Sequence, residues 1–251
     1  MFEIHNQIMF PTHAVARPGP LPPGSTRLSI PAPDGNTLHG VHIVPAPGSS
    51  GPRPLILGFG GNAWNAEDAA IFLHGNFPSA DIVVFHYRGY HPSTGSPSAE
   101  ALLEDAPLVY DFAVSHLHPA QTIAVGFSIG SGVAASLAGE RPVDGLILVT
   151  PFDSLKAVAK DLYPFLPVAP LFRHDMDAAA ALKTSKVPTA IIAAERDEII
   201  PKRRTDGLRA SVGNLLFDRT IDGAGHNDIY PRQDFRDAMD DALEAVSRVN
   251  G

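Results

Sequence analysis

The sequence predicts an α/β fold with a mostly parallel central sheet of about eight strands and helices on both faces. Short, continuous apolar runs alternate with stretches of helical periodicity along most of the chain. Strands that are apolar on both faces are typical of a parallel sheet covered on both sides. The 251 residues, 44% of them hydrophobic, are enough to bury a sizeable core in one domain.

The first 25 residues are expected to form an N-terminal arm, and the α/β domain is expected to span residues 26–251. Residues 17–24 are so rich in proline and glycine that regular secondary structure is not expected there. The apolar side chains of residues 8–10 are the expected anchor of this arm on the domain. A segment that touches a membrane is the alternative interpretation.

A β-hairpin is expected next, because two alternating stretches, 26–30 and 37–44, are joined by the turn residues 33–36. Buried strands are then expected at residues 55–59, 82–85, 123–125, 146–149, 189–193 and 215–217. Helices are expected near residues 65–76, 99–116, 129–139, 202–211 and 232–248. Ligands bind parallel sheets at the carboxyl ends of the strands, so chemistry is expected just past each run.

The composition excludes several classes of function. The net charge of −8 offers no electrostatic reason to bind nucleic acid or an anionic membrane. There is no cysteine, which removes disulfides, thiolate catalysis and cysteine-bound metals. No run approaches the ~20 apolar residues that a membrane span needs, and the N-terminus lacks the pattern of a signal peptide. A cytoplasmic protein is therefore expected.

Residues 126–130, Gly-Phe-Ser-Ile-Gly, place Ser128 between two glycines directly after an apolar run. This pattern predicts a buried strand, a tight bend and a helix, with the serine held out as a nucleophile. Glycines are expected because the bend leaves little space for side chains and the serine backbone is strained. The motif alone would occur by chance in roughly one chain in ten of this length, so its significance depends on the residues downstream.

Asp197 and His226 are the candidate partners of Ser128. Asp197 follows the strand at 189–193, and His226 follows the last strand, which gives the chain order Ser, Asp, His of serine hydrolases on such sheets. His226 would take the serine proton and return it to the leaving group, while Asp197 would orient the imidazole. Other candidates for the acid are Glu195, Glu198 and Asp153.

The oxyanion that forms in acyl transfer needs hydrogen-bond donors that are already in place. One candidate is the backbone N–H of Ile129, at the start of the helix after Ser128. The second is expected from the loop at residues 58–64, from the N–H of Asn62, with Ala63 as the alternative. Such donors are typically worth about 3–4 kcal/mol each.

With these motifs in place, residues 26–248 resemble the α/β-hydrolase superfamily. Residues 85–98, 150–155 and 223–229 are similar to loops of one branch, which includes protein depalmitoylases, lysophospholipid and acylglycerol lipases, and bacterial hydrolases of unknown substrate. Members usually carry a histidine where this chain has Gly60. Arg88 is expected to tie its loop to backbone carbonyls, and binding of an anionic substrate group is the alternative.

Residues 155–184 are expected to form a small apolar cap over a rather open pocket that suits small or medium acyl groups. The predicted function is a serine hydrolase that cleaves carboxylic esters or thioesters of small molecules, with no cofactor and no metal. The sequence does not determine the natural substrate or the oligomeric state. The alternatives are an amidase or peptidase on the same triad and a non-catalytic ligand-binding protein on the same fold.

Overall fold

The computed structural model describes residues 10–17, 19–48, 53–165 and 175–247. The chain divides into two compact units, residues 1–122 and 123–251. Of the expected anchor of the N-terminal arm, Phe10 is buried with 4% of its surface exposed, whereas Ile8 and Met9 lie outside the described residues. The division into an arm, a domain and a cap stays a prediction.

The first unit contains the expected hairpin and two further strands. Its described helices and strands are a 3-10 turn (Thr12–Ala14), β1 (Thr26–Pro31), β2 (Thr37–Ile43), β3 (Pro54–Phe59), α1 (Ala66–Asn76), β4 (Asp81–Phe85) and α2 (Ala99–Leu117). The strand order is β1-β2-β4-β3, in which β1–β2 and β2–β4 are antiparallel and β3–β4 are parallel. Helix α1 packs on β2, β3 and β4.

The second unit carries a parallel sheet. Its strands and helices are β5 (Gln121–Phe127, beginning at the boundary), α3 (Ile129–Glu140), β6 (Gly145–Val149), α4 (Leu155–Leu162), α5 (Ala178–Leu182), β7 (Thr189–Ala194), α6 (Lys202–Ser211), β8 (Leu215–Ile221) and α7 (Gln233–Ser247). The strand order is β5-β6-β7-β8, and each neighbouring pair is parallel. The eight strands, most of them parallel, match the predicted fold class.

Burial follows the periodicity of the sequence. Every residue of β6 is buried, as expected for a strand apolar on both faces. Helix α7 buries Phe235, Met239, Ala242 and Val246, a helical spacing that forms a stripe packed on β6, β7 and β8. Strand β8 differs from the short buried run expected, because its exposure alternates and it continues through polar residues to Ile221.

The bounds of two short helices, α4 and α5, were not predicted from the sequence. Ser154 caps α4 by accepting a hydrogen bond from the N–H of Ala157 at 3.1 Å, and Asp177 caps α5 through the N–H of Ala180 at 2.8 Å. Both lie in the segment expected as a cap, of which residues 166–174 are outside the described part of the chain. Among the described helices, none has the length and apolarity needed to cross a bilayer.

Candidate active site

Ser128 occupies a strained bend between β5 and α3. Its backbone angles are φ 51° and ψ −117°, a conformation that residues other than glycine rarely adopt. A Cβ atom on Gly126 would lie 2.3 Å from the carbonyl oxygen of Gly130, so the bend requires glycine at position 126. The steric crowding expected from the sequence is therefore present at Gly126.

Local hydrogen bonds hold the bend in place. The Ser128 N–H donates to the carbonyl of Val149 at 2.9 Å, which ties the bend to the end of β6. The N–H and hydroxyl of Ser131 both donate to the carbonyl of Ser128, at 2.9 and 2.6 Å. These bonds stabilise a backbone conformation that costs of order 1–3 kcal/mol.

The side chains of Ser128, His226 and Asp197 lie in one hydrogen-bonded row. His226 Nε2 is 3.0 Å from Ser128 Oγ, and His226 Nδ1 is 3.0 and 2.9 Å from the two carboxylate oxygens of Asp197. The carboxylate only accepts, so Nδ1 carries the proton and Nε2 accepts from the serine hydroxyl. The His226 and Asp197 side chains are 5% and 8% exposed.

The acid loop is itself fixed by its main chain. Asp197 Oδ1 also accepts from the N–H groups of Ile199 and Ile200, at 2.9 and 2.7 Å. The three residues of the row follow β5, β7 and β8, whose carboxyl ends meet at one edge of the parallel sheet. The arrangement can therefore move a proton from the Ser128 hydroxyl to His226 while Asp197 stabilises the imidazolium.

The other candidate acids accept hydrogen bonds elsewhere. Glu198 Oε2 accepts from the main-chain N–H of His226 at 3.0 Å, and Glu195 Oε2 accepts from the N–H of Gly223 at 2.6 Å. Asp153 Oδ2 accepts from Arg204 Nη1 at 3.1 Å. None of these bonds is to the imidazole, so the geometry favours Asp197 as the orienting acid.

Tyr230 is a neighbour of the row that the sequence analysis did not single out. Burial raises the pKa of its hydroxyl to about 12; a hydrogen bond with Thr150 acts against this increase, and the Asp197 charge adds a smaller one. Its ring packs edge-on against Phe127 and Phe235, with centroids 6.1 and 5.8 Å apart.

Asn62 lies in the first unit, in the turn after β3. Its Oδ1 accepts from the Tyr90 hydroxyl at 2.7 Å, and the carbonyl of Gly60 accepts from the Tyr87 hydroxyl at 2.8 Å. Burial raises the pKa of both tyrosines, so both hydroxyls stay protonated donors. The half-buried Tyr87 and the buried Tyr90 therefore hold the loop from which the second oxyanion donor is expected.

These tyrosines were not predicted from the sequence as functional residues, although they belong to the 85–98 loop that carried part of the resemblance. At Gly60, an added Cβ would lie 3.5 Å from Trp64 Cβ and 3.7 Å from Ala69 Cβ, which is ordinary contact. The loop thus has space for the start of a side chain at Gly60. The other expected donor, the N–H of Ile129, belongs to the first residue of α3, where no intrahelical acceptor exists.

Arg88 binds carboxylates and not the backbone carbonyls that were expected. Its Nε donates to Asp105 Oδ2 at 3.1 Å, and its two terminal nitrogens pair with Asp105 and Asp34. The residue is 8% exposed, so two acidic side chains satisfy a buried cation. Within the described ranges, no group of three histidine or acidic side chains could hold a metal ion.

Comparison with known proteins agrees with this architecture. Residues 55–185 match the family model of the alpha/beta hydrolase fold. The chain is 31% identical over 219 residues to an uncharacterised protein of Mycobacterium tuberculosis, covering 84% of this chain and 77% of that protein. The protein therefore belongs to the α/β-hydrolase family.

Two other proteins that are similar to this chain, one in sequence and one in fold, carry functional names. The chain is 30% identical over 170 residues to the lysophosphatidylserine lipase ABHD12 of Danio rerio, covering 59% of this chain and 44% of the lipase. It thus spans less than half the length of that lipase. The crystallised Pyrococcus furiosus esterase Pf2001 superposes with a TM-score of 0.71 at 16% identity, over 91% of this chain and 96% of the esterase, which shows a shared fold.

Proposed function

We propose that this protein is a serine hydrolase that cleaves carboxylic esters or thioesters through an acyl-enzyme intermediate. The observation that carries the proposal is the hydrogen-bonded row from Ser128 Oγ through His226 to Asp197, with distances of 3.0 and 2.9 Å. The strained backbone at Ser128 supports it, because such strain concentrates at functional sites. The lipase and esterase names of two similar proteins favour an ester bond as the target.

In the first half of the reaction, Ser128 Oγ attacks the carbonyl carbon of the substrate as its proton passes to His226 Nε2. Asp197 accepts a hydrogen bond from Nδ1–H, without taking the proton, and stabilises the imidazolium that forms. The carbonyl oxygen becomes an oxyanion, which we assign to the N–H groups of Ile129 and Asn62. The bond to the alcohol or thiol then breaks, and His226 returns the proton to that leaving group.

In the second half, a water molecule attacks the acyl-serine. His226 takes a proton from this water, and the tetrahedral intermediate collapses as the bond between the acyl carbon and Ser128 Oγ breaks. His226 then returns the proton to Ser128, and the carboxylic acid leaves. The sequence of steps balances with water as the only co-substrate, so we propose a reaction that needs no cofactor.

Fluorophosphonate labelling tests the assignment directly, because the reagent modifies activated serines. The wild type and Ser128→Ala are compared with Ser115→Ala, which changes an exposed serine on α2 as a matched control. We expect labelling of the wild type and the control but not of Ser128→Ala, with turnover of p-nitrophenyl acetate, butyrate or octanoate following the same pattern. Absence of labelling in folded wild-type protein would overturn the proposal.

The bond type is tested by matched substrates with one acyl group. A p-nitrophenyl ester, a thioester and a p-nitroanilide of butyrate differ only in the leaving group. We expect hydrolysis of the ester or the thioester to be faster than that of the anilide. Faster hydrolysis of the anilide would favour the amidase alternative.

A further inference from the structure

Two acidic residues that are adjacent in the sequence, Asp197 and Glu198, form hydrogen bonds with two different groups of His226. Asp197 accepts from the imidazole at Nδ1, and Glu198 Oε2 accepts from the main-chain N–H of the same residue at 3.0 Å. His226 is 4% exposed, whereas Glu198 lies at the surface. An exposed acidic side chain thus reaches inward to the backbone of a buried histidine.

The histidine loop depends on such side chains because the structure assigns no helix or strand to residues 222–228. The N–H of Gly223 donates to Glu195 at 2.6 Å, and that of Gly225 donates to Asp228 at 2.7 Å. Backbone N–H to carboxylate bonds are charge-assisted and stronger than neutral ones. The bond of Glu198 differs from the other two because it ends on His226 itself.

The carboxylate of Glu198 lies close to the glycine before the histidine. A Cβ on Gly225 would lie 2.8 Å from Glu198 Oε2, too close for the carboxylate to remain where it is. The two loops are also joined through their main chains, since Arg196 N–H donates to the Ala224 carbonyl at 2.8 Å. Glu198 therefore belongs to the contact that sets the distance between the acid loop and the histidine loop.

We propose that Glu198 is a positioning residue for the histidine of the hydrolase. Its carboxylate fixes the backbone of His226 and so keeps Nε2 within 3.0 Å of Ser128 Oγ. The inference rests on the proposed function and adds a residue that touches neither substrate nor nucleophile. A displacement of about 1 Å in such a site can cost about 100-fold in rate.

Three substitutions separate the hydrogen bond from the charge. Glu198→Gln keeps an acceptor oxygen at the same reach without the charge, Glu198→Asp keeps the charge but withdraws the acceptor by one methylene, and Glu198→Ala removes both. We expect kcat to fall about 10-fold or more in the Asp and Ala variants with KM unchanged. We expect Gln to restore kcat to within about threefold of the wild type, since its amide oxygen still accepts from the His226 N–H and keeps the backbone in place, although the bond is weaker.

The readouts are turnover of the p-nitrophenyl ester that the wild type hydrolyses fastest and the second-order rate of fluorophosphonate labelling. Glu140→Ala, an exposed change at the end of α3, is the matched control and should behave as the wild type. The final labelling stoichiometry should reach one per chain in every variant, whereas a loss of folded protein would lower it.

Two results would overturn the inference while leaving the proposed function intact. One is wild-type kcat in all three variants with normal labelling of Ser128. The other is the reverse ranking, Asp active and Gln impaired, which would assign the effect to charge and not to position. Absence of Ser128 labelling in the wild type would instead refute the proposed function on which the inference rests.

Discussion

Replacing Arg88 by methionine should destabilise the protein through the carboxylate that it leaves behind. Arg88 is 8% exposed, and its main partner Asp105 is 6% exposed. Burial raises the pKa of Asp105 even with Arg88 beside it, because the buried carboxylate is poorly solvated. Removing the cation therefore strands an ionised group in the interior.

The expected cost follows from the geometry. Breaking one partner of a buried ion pair typically costs about 3–5 kcal/mol of unfolding free energy. For a chain of this size each kcal/mol corresponds to about 2–4 °C, so the melting temperature should fall by about 6–20 °C. Arg219→Met, which breaks a half-exposed pair with Asp241 at 2.8 Å, should cost about 1 kcal/mol or less.

The double variant Arg88→Met with Asp105→Leu separates the lost pair from the stranded charge. An apolar replacement of a whole buried pair is often neutral, so the double variant should recover most of the loss. Urea and thermal unfolding followed by circular dichroism measure both effects. The reasoning is refuted if Arg88→Met alone costs less than about 1 kcal/mol, the value typical of an exposed pair.

The same variant has a predicted pH dependence. A carboxyl whose pKa is higher in the folded than in the unfolded protein binds its proton more tightly when folded, so folding gains stability as the pH falls. Without Arg88, the pKa of Asp105 should rise further, because the cation no longer lowers it. The loss in Arg88→Met should therefore be smaller at pH 5 than at pH 8, and an equal loss at both would contradict the assignment to Asp105.

Three further predictions concern the candidate active site. Gly126→Ala should cost about 1–3 kcal/mol or more in urea unfolding, because the new Cβ would lie 2.3 Å from a backbone oxygen; an unchanged unfolding midpoint would contradict this. Asp197→Asn should lower kcat about 10³–10⁴-fold in ester hydrolysis with little change in melting temperature, because the amide no longer orients the imidazole of His226; wild-type kcat would exclude Asp197 as the acid. Tyr90→Phe removes the hydroxyl that donates to Asn62 Oδ1 at 2.7 Å. The loss of this bond, worth about 1 kcal/mol, should lower kcat/KM about fivefold, because the Asn62 loop is held less firmly. An unchanged kcat/KM would contradict a role of this loop in the reaction.

The hydrophobic pattern of the sequence predicted the strands and helices well where a segment is identified by burial alone. Every residue of β6 is buried on both faces, so its composition identifies it without reference to partners. The bounds of the two short helices α4 and α5 were not predicted because each has fewer than ten residues and depends on a side-chain cap. The length of β8 was underestimated because one of its faces is polar.

The partners of charged and polar side chains were harder to predict. Arg88 was assigned to backbone carbonyls, yet its partners Asp34 and Asp105 lie 54 and 17 residues away along the chain. The hydroxyl donors of Tyr87 and Tyr90 reach residues 27 and 28 positions earlier. No spacing rule relates such pairs, because loops that are distant in sequence meet only once the sheet has formed.

The sequence by itself determined the fold class, the family and the bend at Ser128, because periodicity and steric crowding act between residues close together in the chain. Only the tertiary structure decided which carboxylate faces which group of His226. Asp197 and Glu198 are adjacent and chemically alike, yet one meets the imidazole and the other the main chain. That choice depends on how the loops after β7 and β8 pack against each other, over a separation of 28 residues or more.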